Sequence, residues 1–321
     1  MTLSREDKIS LLQLYLTKGI GDVAIKRILE ACGAKNTSPA AIFHANNTKP
    51  DEYGISSELL SEAIKKSGEA SELYDTLEDS RVEIITSLDS AYPIRLKAVL
   101  EVSAPQILFV RGNKSLLDSE LPAVGFCGSR KASPEGINIT AMCGNILAKE
   151  KISVVSGYAS GVDMAAHTSS LKAGGNTIFV LAEGILKFKA KSEIKDHLTT
   201  GNHIIVSQFP PGMVWASHNA MRRNSTIIGF SDAMVLVESG LEGGTFAAGK
   251  ETLAKNHPLY VVDYAAPKGS AEANPFFIKQ GGNPIRRDKN NNLQPNLAPL
   301  IVKVKEQGWK VRLLNQRSLF D

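Results

Sequence analysis

The sequence predicts an α/β protein: a mostly parallel sheet covered by helices on both faces, preceded by a small helical domain. Two observations carry this. From residue 81 onward, eight short runs of β-branched and apolar residues alternate with helical patterns, the signature of repeated strand-helix-strand units. Before residue 81 the apolar spacing is helical.

Taken in order, Ile9, Leu11, Leu12, Leu14 and Leu16 mark a first helix. After the break Gly19-Ile20-Gly21, Val23, Ile25, Ile28 and Leu29 mark a second. Such a pair is either an ordinary helix hairpin or a helix-hairpin-helix module, in which glycines let turn amides approach a DNA phosphate. A loop near residues 36–51 and a helical stretch over 57–79 complete an expected domain at residues 1–80. The strand runs are VEIIT (82–86), ILFV (107–110), AVGFC (123–127), ISVVS (152–156), TIFVLA (177–182), HIIVS (203–207), AMVLVE (233–238) and LYVVD (259–263). They define an expected sheet domain at 81–288, and a basic, Asn-rich tail follows at 289–321.

The 321 residues suffice for about two domains, and 43% hydrophobic with 22% charged residues is an ordinary globular composition. No apolar stretch reaches the length of a membrane span and the charged start MTLSREDKIS is unlike a signal peptide, so a cytoplasmic protein is expected. Three cysteines without CxxC spacing speak against a disulfide framework or a zinc site. The net charge is +4, but residues 1–80 hold 9 basic and 13 acidic side chains, leaving 28 and 20 for the remainder. The positive surplus therefore lies after residue 80, and it speaks for phosphate binding only where it is focused.

In open parallel sheets ligands bind beyond the carboxyl ends of the strands. AVGFC runs into Gly128, Ser129, Arg130 and Lys131, then into a helix with Ser133 as N-cap and Pro134 as first residue. This is an expected anion cradle of glycine backbone, hydroxyl, guanidinium and helix N-terminus. ISVVS repeats the logic with Ser156, Gly157 and Gly161. Asp163 and His167, four apart on the next helix, share a face. With no third ligand in sight, a structural Asp–His hydrogen bond is expected rather than a metal site. Arg222, Arg223 and Asn224 precede the seventh strand and suit phosphate contacts, while Tyr158, Phe209 and Trp215 lie in loops where they either stack on bases or pack in the core. Residues 244–250 fit GxxxxGK, but Glu251 stands where magnesium needs a hydroxyl, so a nucleotide-hydrolysing P-loop is not expected.

Together these residues resemble the DprA/Smf family of DNA-processing proteins over about residues 90–285. The motifs are YPIRLKAVLEVSAPQILFVRGN, GSR at 128–130, SGYASGVDMAAHTSSLKAGG at 156–175, RRN with IIGFSDAMVLVESG, GS at 269–270, Asn274 and IKQGG at 278–282. The resemblance implies an extended Rossmann-like fold, a homodimer, single-stranded DNA binding and loading of a RecA-type recombinase in transformation or recombination. It implies no catalytic residue, no metal and no cofactor. The chain departs from the family at Ser160 and Ser225, where members often carry basic residues, and in SGLEGGTFAAG. The last residues contain Gln316, Leu319 and Phe320 in the pattern QxxLF, which resembles the peptide that bacterial proteins insert into the DNA sliding clamp. An alternative reading is a LOG-like nucleotide-binding or nucleotide-hydrolysing Rossmann protein, with Arg130 on a 5′-phosphate and Glu238 or Glu242 acting at the sugar.

Overall fold

The structure, a computed structural model, describes residues 3–44, 50–267, 269–288 and 294–306. Helix α1 (Arg5–Leu16) opens with a capping box in which the Asp7 amide donates to Ser4 Oγ and the Ser4 amide to the Asp7 carboxylate. Helix α2 (Asp22–Ala34) follows the glycine turn, then α3 (Ala41–His44). The helical stretch expected over 57–79 forms as two helices, α4 (Ser57–Lys65) and α5 (Ser67–Asp79). The break falls at Lys66, beside Ser67 and Gly68, both weaker helix formers than their neighbours.

All eight expected strands form. They are β1 (Glu83–Thr86), β2 (Ile107–Gly112), β3 (Ala123–Cys127), β4 (Ser153–Ser156), β5 (Thr177–Val180), β6 (His203–Ser207), β7 (Ala233–Leu236) and β8 (Leu259–Val262). A ninth, β9 (Asn283–Ile285), has no sequence signal, being three residues long with a proline in the middle. Helix α6 (Ile94–Leu100) lies between β1 and β2. The crossover helices are α7 (Pro134–Lys149), α8 (Val162–Lys172), α9 (Ser192–Lys195), α10 (Ser217–Phe230), α11 (Gly244–Ala254) and α12 (Asn274–Lys279).

The nine strands form one sheet in the order β1-β2-β6-β5-β4-β3-β7-β8-β9. From β6 to β9 every pairing is parallel, and β1 and β2 extend the sheet with antiparallel pairings. This is the mixed, mostly parallel α/β architecture that the strand-helix alternation predicts. Parallel strands need covering on both faces, and the pleat shows how that is met. On one face Val124, Val154 and Val235 pack under α7 and α8, together with Leu300 of a helical stretch at 298–306. Further along the same face Phe109, Phe179 and Ile205 pack with Leu11, Ile28 and Leu29 of the N-terminal helices in one continuous cluster. The other face buries Val110, Ile178, Val206 and Met234 with Leu96 of α6, Ile227 of α10 and Phe277 of α12. Among the described residues, no helix is long and apolar enough to cross a membrane. Gln316, Leu319 and Phe320 lie outside the described residues.

Candidate nucleic-acid interface

The chain runs from β3 through β4 and β5 to β6 on one side, then returns to β7, β8 and β9 on the other. The loops leaving β3 and β7 therefore diverge, which opens a crevice at the carboxyl end of the sheet. A cleft of about 510 Å³ lies there, lined by Gly128, Ser129 and Arg130 after β3, Asp163 on α8, Trp215 ahead of α10, and Arg223 and Asn224 on α10. A smaller cleft of about 160 Å³ shares Arg130, Trp215 and Arg223 and continues past Tyr158 and Ser160 to Glu183.

The first glycine loop is built as the sequence predicts, with Ser133 capping α7 and Pro134 in its first turn. Its electrostatics differ. The carboxylate of Glu238, at the end of β7 and only 1% exposed, occupies the α7 N-terminus: Oε2 accepts from the Ser133 amide at 2.9 Å and from Ser270 Oγ at 2.6 Å. Its Oε1 accepts from the Ser133 hydroxyl and from the Tyr264 hydroxyl. The protein's own anion thus sits where the sequence places a phosphate, stabilised by the same partial positive charge. The Ser129 amide donates to the Glu238 carbonyl and the Lys131 amide to Ser129 Oγ. Gly128 packs against Val162, so its missing side chain makes room for protein rather than ligand. The Lys131 side chain is exposed. What the loop offers outward is the Arg130 guanidinium, stacked 5.2 Å from the centre of the half-exposed Trp215 ring.

The second glycine loop serves the arginine on α10. A side chain at Gly157 would fall 1.4 Å from Arg223 Nη1, so this glycine is what lets the guanidinium enter. Arg223 is 5% exposed, pairs with Asp163 at 3.7 Å and donates to the Val180 carbonyl, while its Nε has no partner. Burial lowers the Arg223 pKa and raises that of Asp163, and the attraction between the two opposes both effects. The expected Asp163–His167 hydrogen bond is not formed. His167 instead donates Nε2–H to the Gly157 carbonyl and pairs Nδ1 with the Thr177 hydroxyl, and burial pushes its pKa down to about 3. Ser156 is fully buried, its hydroxyl on the Phe126 carbonyl. Gly161, at φ 77°, lies against the Ser129 and Arg130 carbonyls and locks the two loops together.

Arg222 and Arg223 part company. Successive helical residues point about 100° apart. Arg222 faces a separate cleft of about 310 Å³ between the N-terminal helices and the sheet, where it is ion-paired with Asp22 at the start of α2 and rests over the Phe209 ring. The glycine turn before α2 is thus turned toward the sheet domain. Phe209 is buried, Tyr158 packs on Phe179 and Phe188 while lining the smaller cleft, and Trp215 is the most exposed of the three. Asn224 donates to the Gly244 carbonyl. The GxxxxGK stretch is helix α11 itself, with Lys250 over Phe246 and Gly249 against Phe277, not a loop around a phosphate. The bracing set of Glu238, Ser133, Tyr264 and Ser270 is invisible in sequence because its members come from three separate loops.

A mostly parallel sheet with helices on both faces and a cleft at its switch point, rimmed by Arg130 and Trp215, defines a Rossmann-like α/β protein. The profile of the family described as DNA recombination-mediator protein A matches residues 83–293, and the chain belongs to that family. It is 29% identical over 197 residues to the DNA processing protein DprA of Streptococcus pneumoniae, covering 60% of this chain and 67% of that protein. It is 28% identical to DprA of Bacillus subtilis, covering 53% of this chain and 57% of the other, and 28% identical to Smf of Escherichia coli, covering 64% and 54%. The fold is that of the crystal structure of DprA from S. pneumoniae, with a TM-score of 0.70 and 22% identity over 89% of this chain and 95% of that one. The DNA processing protein A of Helicobacter pylori, studied for its single-stranded DNA binding mode, aligns with a TM-score of 0.56 and 20% identity over 70% of this chain and 96% of that one.

Proposed function

We propose that this protein binds single-stranded DNA in the cleft at the carboxyl ends of β3 and β7, as a binding protein in DNA processing rather than as an enzyme. The observation that carries this is the pairing of Arg130 with Trp215 on the rim, backed by the buried Arg223. A guanidinium on an indole face offers a phosphate contact and a stacking surface together, which suits a strand whose bases are unpaired. The four hydrogen bonds that hold Glu238 at the α7 N-terminus support a bracing role for it over one in stabilising an oxocarbenium ion or activating water. Family membership and the single-stranded DNA binding mode of the H. pylori relative support the same reading. We extend it to a cytoplasmic homodimer that protects single strands and loads a RecA-type recombinase, with Gln316, Leu319 and Phe320 engaging the sliding clamp.

Fluorescence anisotropy with a labelled thymidine oligonucleotide and a matched duplex, across a salt series, tests the central claim. Single strands should bind more tightly than duplex, affinity should fall as salt rises, and Arg130→Ala should weaken binding by about tenfold. Equal affinity for duplex, or an Arg130→Ala variant that binds like the parent, would overturn it.

A further inference from the structure

The stretch of chain that carries Arg130 is fastened at both ends to one residue. At its start the Ser129 amide donates to the Glu238 carbonyl at 3.0 Å, and at its end the Ser133 amide donates to the Glu238 carboxylate at 2.9 Å. Ser133 Oγ also donates to that carboxylate while accepting from the Gly136 amide at 3.0 Å. Gly136 makes room for this arrangement, since a side chain there would fall 2.4 Å from Glu238 Oε1. The position of the Arg130 backbone therefore depends on that of Glu238.

The groups that orient the carboxylate from its other side come from farther along the chain. Ser270 Oγ donates to Oε2 at 2.6 Å, and the Tyr264 hydroxyl donates to Oε1 at 3.3 Å. These two donors differ in what they face. Ser270 lines the switch-point cleft, so a change there alters the cleft surface directly. Tyr264 lines neither that cleft nor the smaller one. Its ring belongs to a separate cleft of about 700 Å³ between α7 and the ends of β8 and β9, with Ile139, Met142 and Ile285.

Tyr264 is mounted on fixed backbone at the exit of β8. Beside it the Asp263 amide donates to the Ile285 carbonyl at 3.0 Å, and Asn274 Nδ2 donates to the Val262 carbonyl at 2.9 Å. Burial, with the Glu238 carboxylate next to it, raises the Tyr264 pKa, so the phenol keeps its proton and remains a donor. Without that hydroxyl, Oε1 would retain the Ser133 hydroxyl as its donor, and the carboxylate would be less firmly oriented.

We propose that Tyr264 is a positioning residue of the strand-binding cleft: its hydroxyl orients the Glu238 carboxylate, and Glu238 in turn holds the Arg130 stretch in place beside Trp215. This rests on the single-stranded DNA reading above and names a residue that acts on that site without lining it. The gain is preorganisation. A guanidinium on backbone held at both ends loses less freedom on meeting a phosphate than one on a free loop.

Tyr264→Phe removes the hydroxyl and leaves the ring. Tyr260→Phe is the control, because the Tyr260 hydroxyl, from neighbouring β8, donates to the Pro299 carbonyl at 3.2 Å and has no part in holding Glu238. Anisotropy with a labelled thymidine oligonucleotide of about 30 nucleotides compares wild type, the two variants, Arg130→Ala, and Arg130→Ala combined with Tyr264→Phe. Tyr264→Phe should bind about threefold more weakly than wild type, and Tyr260→Phe equally well. In the Arg130→Ala background the loss of the Tyr264 hydroxyl should change nothing, because the group it positions is gone. A merely structural hydroxyl would lower the melting temperature without touching affinity, or weaken both backgrounds alike. Wild-type affinity in Tyr264→Phe, the same factor in both backgrounds, or an equal loss in Tyr260→Phe would overturn the positioning role while leaving the cleft reading standing. No single-strand binding by wild type, or undiminished binding by Arg130→Ala, would overturn the cleft reading and this role with it.

Discussion

Glu238 shows how one buried side chain changes what a loop can bind. A carboxylate at a helix N-terminus takes the place of an external anion and satisfies donors from Ser133, Tyr264 and Ser270, so the positive charge left for a ligand lies on Arg130 and Arg223. Two buried histidines act on stability instead. Burial pushes His167 down to about 3 and His257 to about 4, and His257 Nε2 has no hydrogen-bond partner. Both are neutral in the folded protein, while the unfolded chain protonates them below about pH 6.5. Unfolding therefore takes up protons, so this stability is full above that pH and is lost as pH falls toward the folded values. Each histidine contributes a slope of about 1.4 kcal/mol per pH unit over that window. Urea unfolding between about pH 6.5 and 5 should show a His257→Gln slope smaller by that amount than wild type. Asp232, whose pKa burial raises, works in the opposite sense in both proteins and cancels in the difference.

At the scale of one element, α10 divides the molecule's basic charge between two clefts. Its residues Ala220, Met221, Arg223, Asn224 and Ile227 line the switch-point cleft, while Arg222, Ser225 and Thr226 line the cleft beside the N-terminal helices. The Arg222–Asp22 pair is about half exposed on both sides, and exposed pairs contribute less than about 1 kcal/mol. Arg222→Ala should leave single-strand affinity within about twofold of wild type and lower stability by less than about 1 kcal/mol. Anisotropy and urea unfolding of the one variant check both numbers. A loss as large as that of Arg130→Ala would show that Arg222 leaves Asp22 and reaches the strand.

For the whole molecule, the consequential contact is that of the N-terminal helices with the sheet. Phe109, Phe179 and Ile205 are each no more than 2% exposed, and they are covered by the cluster that contains Leu11, Ile28 and Leu29. Removing residues 1–80 would uncover a large apolar face, which soluble proteins do not tolerate. A fragment of residues 81–321 should aggregate, whereas the full chain stays in solution. Size-exclusion chromatography of both decides this, and a soluble, cooperatively melting fragment would show that the sheet needs no helical cover.

The sequence by itself determined the layered architecture and the place of the site. A strand covered on both faces, parallel as in β3 to β8 or antiparallel as in β1 and β2, shows as a short apolar run, so eight strands are legible, whereas Asn283-Pro284-Ile285 becomes a strand only because β8 stands beside it. Glycine turns at strand ends likewise marked where Arg130 and Trp215 meet. Tertiary structure alone decided which of two adjacent arginines faces the cleft, that Asp163 pairs with Arg223 rather than His167, and that Glu238 fills the α7 N-terminus. The reason is physical. Periodicity encodes which face of an element is buried, but the partner of a buried charge is set by the distance between elements far apart in the chain, and no local pattern carries that distance.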